Sequence, residues 1–130
     1  MKKTTLLHSE LSRVIAEMGH GDLLVIGDAG LPVPKGVLRI DLAVTANVPR
    51  FEEVLASVLR ELQVETAWVA SESDPTWRDR LVDRHRSLPA SLSLESHADF
   101  KTRSANAVAV VRTGEMTPYT NIGLVSGVVF

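Results

Sequence analysis

Cysteine is absent from this 130-residue chain, which excludes disulfide scaffolds, thiolate metal sites and cysteine nucleophiles and fits a reducing compartment. Neither sign of charge dominates: 14 basic against 16 acidic residues leave a formal net charge of −2, so there is no basic footprint for nucleic acid or an anionic membrane. No apolar run is long enough to span a bilayer, and the start "MKKTTLLHSELSR" has the lysines of a signal peptide without its apolar core. A cytoplasmic location is expected. Motifs are missing too. The "GDAG" at residues 27–30 lacks the G-x-G-x-x-G spacing of a pyrophosphate turn, and neither a G-x-S-x-G elbow nor an H-E-x-x-H pair occurs. There is no internal repeat, low-complexity tract or linker.

What is present is the composition of one soluble domain, residues 1–130, with 45% apolar and 23% charged residues, large enough to bury a core unaided. "SELSRVIAEMGHG" reads as a helix capped by Ser9, with Leu11, Val14, Ile15 and Met18 on one face and Gly19 as a left-handed exit. "DLLVIGDAG" is a strand apolar on both faces, closed by Asp28. "VLRIDLAV" has strand content, with Arg39 and Asp41 on one face. Pro49 opens a helix running through Leu62, followed by the strand "VETAWVA". Asp74-Pro75 starts a charged helix, "SLSLE" is a short strand, and Ser96 caps a helix whose first turn carries His97. "NAVAVVRTGE" and the terminal "IGLVSGVVF" complete the strands. The alternation predicts an α/β fold: a three-layer α/β/α domain with a mixed central sheet.

Four histidines and a few acids are the candidates for chemistry. His8, at a helix start, and His85, on a charged helix, read as solvated groups. His20 and His97 each fall at a helix terminus beside a strand end, and open α/β sheets gather ligands at strand carboxyl ends; capping is the alternative role for both. Asp28 closes a buried strand and needs a partner or a ligand, its own turn being one candidate. Tyr119, the only tyrosine, and Asn121 sit in "TPYTNIG", where hydroxyls, an amide and an aromatic face suit a sugar. Turn anchoring is the alternative for Tyr119.

In order along the chain, "MGHGD", "DAGLPVPKG", "RIDLAVTANVP", "HADFK", "VRTGE" and "PYTNIGLVSGVVF" resemble the D-ribose pyranase family, the ribose branch of the ribose/fucose mutarotases. The middle segment "SESDPTWRDRLVDRHRSLPASLS" matches no such motif. The resemblance implies interconversion of pyranose and furanose D-ribose, supporting ribose uptake and catabolism, without metal or organic cofactor. It implies His20 as the catalytic histidine and Asp28, His97, Tyr119 and Asn121 as sugar ligands, with Thr120 where the family places a small residue. It also implies a homodecamer of two face-to-face five-membered rings, with each pocket at a subunit boundary. The fucose branch usually carries histidine and phenylalanine after its Asp-Ala, whereas Gly30 and Leu31 stand here, which favours ribose.

The residue types suit that reaction. Opening a cyclic hemiacetal needs one acid and one base. His97 at a helix N-terminus is biased toward its neutral form, and His20 near a helix C-terminus toward imidazolium, which makes His20 the expected acid. Lys101 is a weaker candidate for a polar contact, with a solvated lysine as its alternative. Two other classes remain open on these residues: a sugar-binding transporter accessory that uses the same pocket without turnover, and a metal enzyme with His20, Asp28 and His97 as ligands. The apolar ending "GLVSGVVF" is expected to be buried against a neighbouring subunit.

Overall fold

The apolar run that follows His20 becomes strand β1 (Leu23–Gly27), with all five residues buried. In the computed structural model, which describes residues 1–130, β1 lies inside a six-stranded sheet. The chain order is α1 (Ser9–Glu17), β1, β2 (Leu38–Asp41), α2 (Phe51–Leu59), β3 (Val64–Ala70), α3 (Pro75–Arg84), β4 (Ser93–Glu95), α4 (His97–Ser104), β5 (Ala109–Arg112) and β6 (Ile122–Ser126). In space the strands run β2-β5-β1-β6-β3-β4. β1 and β2 each pair in parallel with β5, β3 pairs in parallel with β4, and β6 is antiparallel to both β1 and β3. The sheet is therefore mixed, as expected. Five strands end on one edge, where β6 begins. The opposite edge collects their starts and the end of β6.

Side-chain alternation splits the core into two layers. Leu24 and Ile26 face the larger cluster, built with Leu11 and Val14 of α1, Phe51, Leu55 and Val58 of α2, and Trp77 and Leu81 of α3. Leu23 and Val25 face a smaller one with Leu31, Trp68 and Phe100 of α4. Helices thus cover both faces, and β1 is apolar throughout because it has no solvent side.

Several local expectations hold and others shift. The side chain of Asp74 accepts the Thr76 N–H at 3.2 Å, and Ser96 accepts the Asp99 N–H at 3.1 Å, both as helix caps. At α1 the cap is His8 and not Ser9: His8 Nδ1 accepts the Leu11 N–H at 3.2 Å, so this histidine has a structural role beyond solvation. Met18 leaves α1 in an extended conformation, and the left-handed residue is Gly21 (φ 85°), not Gly19. α2 begins at Phe51, after an extended Arg50, and ends before Leu62. His85 closes α3 half-buried, and burial pushes its pKa down. The last strand stops at Ser126 because its neighbours stop there: β1 pairs from Leu23 and β3 from Val64. Val128, Val129 and Phe130 are left exposed in the single chain.

Candidate active site

A cleft of about 600 Å³ opens on the carboxyl edge of the sheet, lined by Asp28 to Pro32 after β1, His97 and Lys101 of α4, and Arg112 with Glu115 to Tyr119 after β5. Asp28 is held there through its backbone and its turn. Its N–H donates to Asn121 Oδ1 at 2.8 Å, and its Oδ1 accepts the Gly30 N–H at 3.0 Å. The Ala29 N–H reaches the Glu115 carbonyl at 2.9 Å. Arg112 Nε donates to the Ala29 carbonyl at 2.9 Å while its Nη1 holds both oxygens of Asp41 at 2.9 and 3.2 Å. Burial works against ionisation of Asp41, but the Ala43 N–H and the Arg112 guanidinium hold its carboxyl below the usual value. Gly27 is what lets this turn close, since a Cβ there would lie 2.5 Å from Leu31 Cδ2 and 2.9 Å from Asn121 Oδ1. Asp28 thus closes its own turn with Oδ1, and its Oδ2 has no hydrogen-bond partner in the chain.

His97 enters from the first position of α4. Its N–H donates to the two oxygens of Glu72 at 2.9 and 3.1 Å, and that N–H is the leading cause of the lowered Glu72 pKa. The imidazole meets the Tyr119 ring edge-on, with centroids 5.0 Å apart at 84°. Tyr119 has φ 61°, a left-handed conformation that costs a non-glycine residue about 1–3 kcal/mol and persists where the surroundings impose it. Burial pushes the His97 pKa down, Lys101 adds to the effect, and Glu72 and Asp28 oppose it. The neutral imidazole expected from its helix position is supported, with burial as the leading cause. Lys101 lines the cleft but is exposed, and its side chain makes no hydrogen bond within the chain, as a solvated lysine would.

The remaining candidates lie elsewhere. Thr120 and Asn121 are buried, the latter completely. Thr120 borders a neighbouring hollow with Arg50, Glu115 and Thr117, while Asn121 supports Asp28 from beneath and keeps its own Nδ2 without a partner. His20 is at the opposite edge of the sheet. The residues of β1 separate it from Asp28, a span of roughly 16 Å of strand. It sits on a turn closed by the Asp22 N–H to the Gly19 carbonyl at 3.2 Å, with Gly21 supplying the positive φ that a type II turn needs at its third residue. Its Nε2 lies 2.8 Å from Oε2 of Glu65. In one chain, then, Asp28, His97 and Tyr119 come together and His20 does not. The trio a metal reading requires is split between two edges, and no three His, Asp or Glu side chains cluster at metal-binding spacing.

Arg112 and Glu115 line the cleft and Glu72 holds the His97 N–H, and none of the three stands out in the sequence as a site candidate. Glu115 is buried; burial raises its pKa, but the Thr117 hydroxyl and the Phe51 N–H outweigh this and hold it low. Its Oε1 accepts from Thr117 Oγ1 at 2.9 Å and its Oε2 from the Phe51 N–H at 3.3 Å, tying the Tyr119 segment to α2. Arg112 and Glu115 could have been found by the argument applied to Asp28, because "RTGE" also closes a buried strand. Glu72 offers no such signal, since its contact with His97 crosses 25 residues.

The profile of the RbsD / FucU transport protein family matches residues 1–129. The chain belongs to that family. Among RbsD/FucU relatives, a D-ribose pyranase of Pseudomonas putida strain GB-1 is 57% identical over 133 residues, and one of Paracidovorax citrulli is 54% identical over 130 residues; each match covers both chains completely. Among solved RbsD/FucU structures, Bacillus subtilis RbsD complexed with D-ribose superposes with a TM-score of 0.91 at 39% identity, covering all of both chains. The fucose mutarotase of Streptococcus pneumoniae, in complex with L-fucose, gives 0.78 at 28% identity over all of both chains.

Proposed function

We propose that the protein is a D-ribose pyranase, interconverting the pyranose and furanose forms of D-ribose by acid/base ring opening and reclosure. The full-length match to proteins of that name at 54% and 57% identity carries the assignment, and the cleft supplies chemistry that fits it. Ribose sits in the carboxyl-edge cleft, with Asp28 Oδ2 accepting from sugar hydroxyls and the Tyr119 ring beside the sugar face. Thr120 and Asn121 complete the binding set through the segment that carries Tyr119. The neutral His97 is available to orient a hydroxyl or accept a proton. In the forward direction the anomeric hydroxyl loses its proton and the ring oxygen O5 gains one as the C1–O5 bond breaks, its electron pair remaining on oxygen. The C4 hydroxyl then attacks the open aldehyde, with the proton transfers reversed. His20 is the acid of this scheme.

For His20 to act on the cleft, it must come from another copy. Its turn lies on the far edge of its own sheet, where the Gly21 N–H bonds the Ser126 carbonyl at the end of β6 at 2.8 Å and Val128 to Phe130 beyond it are exposed, and this edge of one subunit facing the cleft of the next gives a site at each boundary. A closed ring of such contacts is a heterologous assembly, for which we adopt two face-to-face rings of five. One observation favours a second reading, a sugar-binding accessory without turnover: the cleft of a single chain has a binding set and no His20. His20→Ala separates the two. Saturation-transfer NMR on D-ribose at equilibrium is expected to show pyranose–furanose exchange speeded by the parent and reduced by about 10²–10⁴-fold in the variant, with ribose binding retained. Exchange at the parental rate in His20→Ala would remove His20 from the mechanism.

A further inference from the structure

His20 and Glu65 are 45 residues apart in sequence, yet His20 Nε2 and Glu65 Oε2 meet at 2.8 Å. Resting on the reading that His20 is the acid of ring opening, we propose that Glu65 is its positioning residue, holding the imidazole through Nε2 so that Nδ1 is the nitrogen that exchanges a proton with the sugar.

The geometry argues this in three steps. A carboxylate only accepts hydrogen bonds, so a ring nitrogen 2.8 Å from it carries the hydrogen. Neutral His20 is therefore the Nε2–H form with a lone pair on Nδ1, and the imidazolium adds its second proton at Nδ1. In either state the mobile proton belongs to Nδ1. Second, both partners are placed by backbone. Glu65 is the second residue of β3. Gly127 passes over it, bonded to the Gln63 carbonyl at 2.9 Å and so close that a Cβ on Gly127 would stand 3.1 Å from Glu65 Cβ. His20 occupies the apex of the Gly19–Asp22 turn. Third, stability does not explain the pair. Its side chains are 61% and 52% exposed, and exposed ion pairs contribute little to folding. Glu65 has no other side-chain partner in the chain. His97 offers the contrast: no side chain bonds its ring nitrogens, and its orientation comes from packing on Tyr119.

The step assigned to the pair is balanced within the sugar reaction. Nδ1 gives its proton to O5 as the C1–O5 bond breaks, a second group takes the proton of the anomeric hydroxyl, and Nε2 keeps its hydrogen on Glu65 throughout. Orientation of an acid by a third group is the logic of other His–carboxylate pairs.

The test is ¹⁵N-imidazole NMR of the assembled protein at a pH where its histidines are neutral, with the His20 signals identified by their loss in His20→Asn. The parent is expected to show His20 as the Nε2–H tautomer. In Glu65→Ala the signals should move toward a tautomer mixture, and the maximal ribose exchange rate should fall on the order of ten- to a hundredfold with little change in half-saturating ribose. Glu65→Asp is expected to recover part of the rate. A parent with His20 in the Nδ1–H form overturns the proposal, whatever the variants do. So does a Glu65→Ala protein with parental tautomer and rate. If His20→Asn itself exchanges ribose at the parental rate, the underlying assignment of His20 has failed instead.

Discussion

The two edges of the sheet are built on opposite plans. At the carboxyl edge, Asp28 is fixed by Asn121 and Gly30, the adjoining Ala29 by Glu115 and Arg112, and the Tyr119 segment by Glu115 through Thr117. The backbone N–H groups of residues 28–31 and 115–117 are all paired, which leaves Asp28 Oδ2 as a free acceptor on a fixed turn. The amino edge is sparse. His20 stands exposed on a four-residue turn with one side-chain partner, Glu65. A pre-organised edge suits selective binding of a hydroxylated ligand, because little ordering remains to be done when the sugar arrives. An exposed edge suits delivery of a reactive group into someone else's cleft. On the proposed function, neither edge is a complete site alone.

Substitutions at the carboxyl edge test how much the frame contributes. The largest effect is expected from Glu115→Gln, which replaces an acceptor-only group under the N-terminus of α2 and beneath Thr117. Stability should fall by about 1–3 kcal/mol in denaturant melts, with ribose affinity falling alongside it. A variant as stable as the parent would show that the 115–120 segment is held by packing and not by this carboxylate. Asp28→Asn is smaller in scope. Its turn should survive, while isothermal titration should show about tenfold weaker ribose binding as a charge-assisted acceptor is lost. Undiminished affinity would assign Asp28 to its turn alone. The smallest effect concerns acid. The His97 pKa lies below its ordinary 6.5 in the folded chain, so as pH falls below that value the unfolded chain takes up a proton that the folded chain refuses. This contribution to stability is complete above pH 6.5 and is lost as pH falls toward the folded pKa. His97→Asn should therefore lose less melting temperature than the parent between pH 7 and pH 5.5, and equal losses would remove His97 from the acid response.

The same contrast explains what sequence could and could not tell. The carboxyl edge was legible because its signals are local: an apolar run closed by an acid at Asp28, an Asp-Pro start at Asp74, a Ser cap before His97. Its supports were less so. Glu72 reaches His97, and Asn121 reaches Asp28, across 25 and 93 residues, and such contacts are products of topology. Local rules also misplaced a few ends. Ser9, Gly19 and Pro49 carry the usual boundary chemistry, but His8, Gly21 and Arg50 occupy the positions that matter, since a neighbour one or two residues away satisfied the same geometry. The location of His20 was half visible. A histidine before a buried strand and an aspartate after it must sit at opposite edges, yet the pairing of His20 with Glu65 depends on β6 lying between β1 and β3.

The central claim, that an active site joins the cleft of one subunit to His20 of another, is tested most directly by mixing two defective proteins. One carries His20→Ala; the other carries Asp28→Ala with His97→Ala. Each alone should leave ribose exchange near the uncatalysed rate. Co-assembled in equal amounts and distributed at random, they place an intact cleft against an intact His20 at about one boundary in four, so the account predicts about a quarter of parental exchange in saturation-transfer NMR. Exchange that stays at the level of the separate variants, in assemblies shown by mass to contain both, would contradict it.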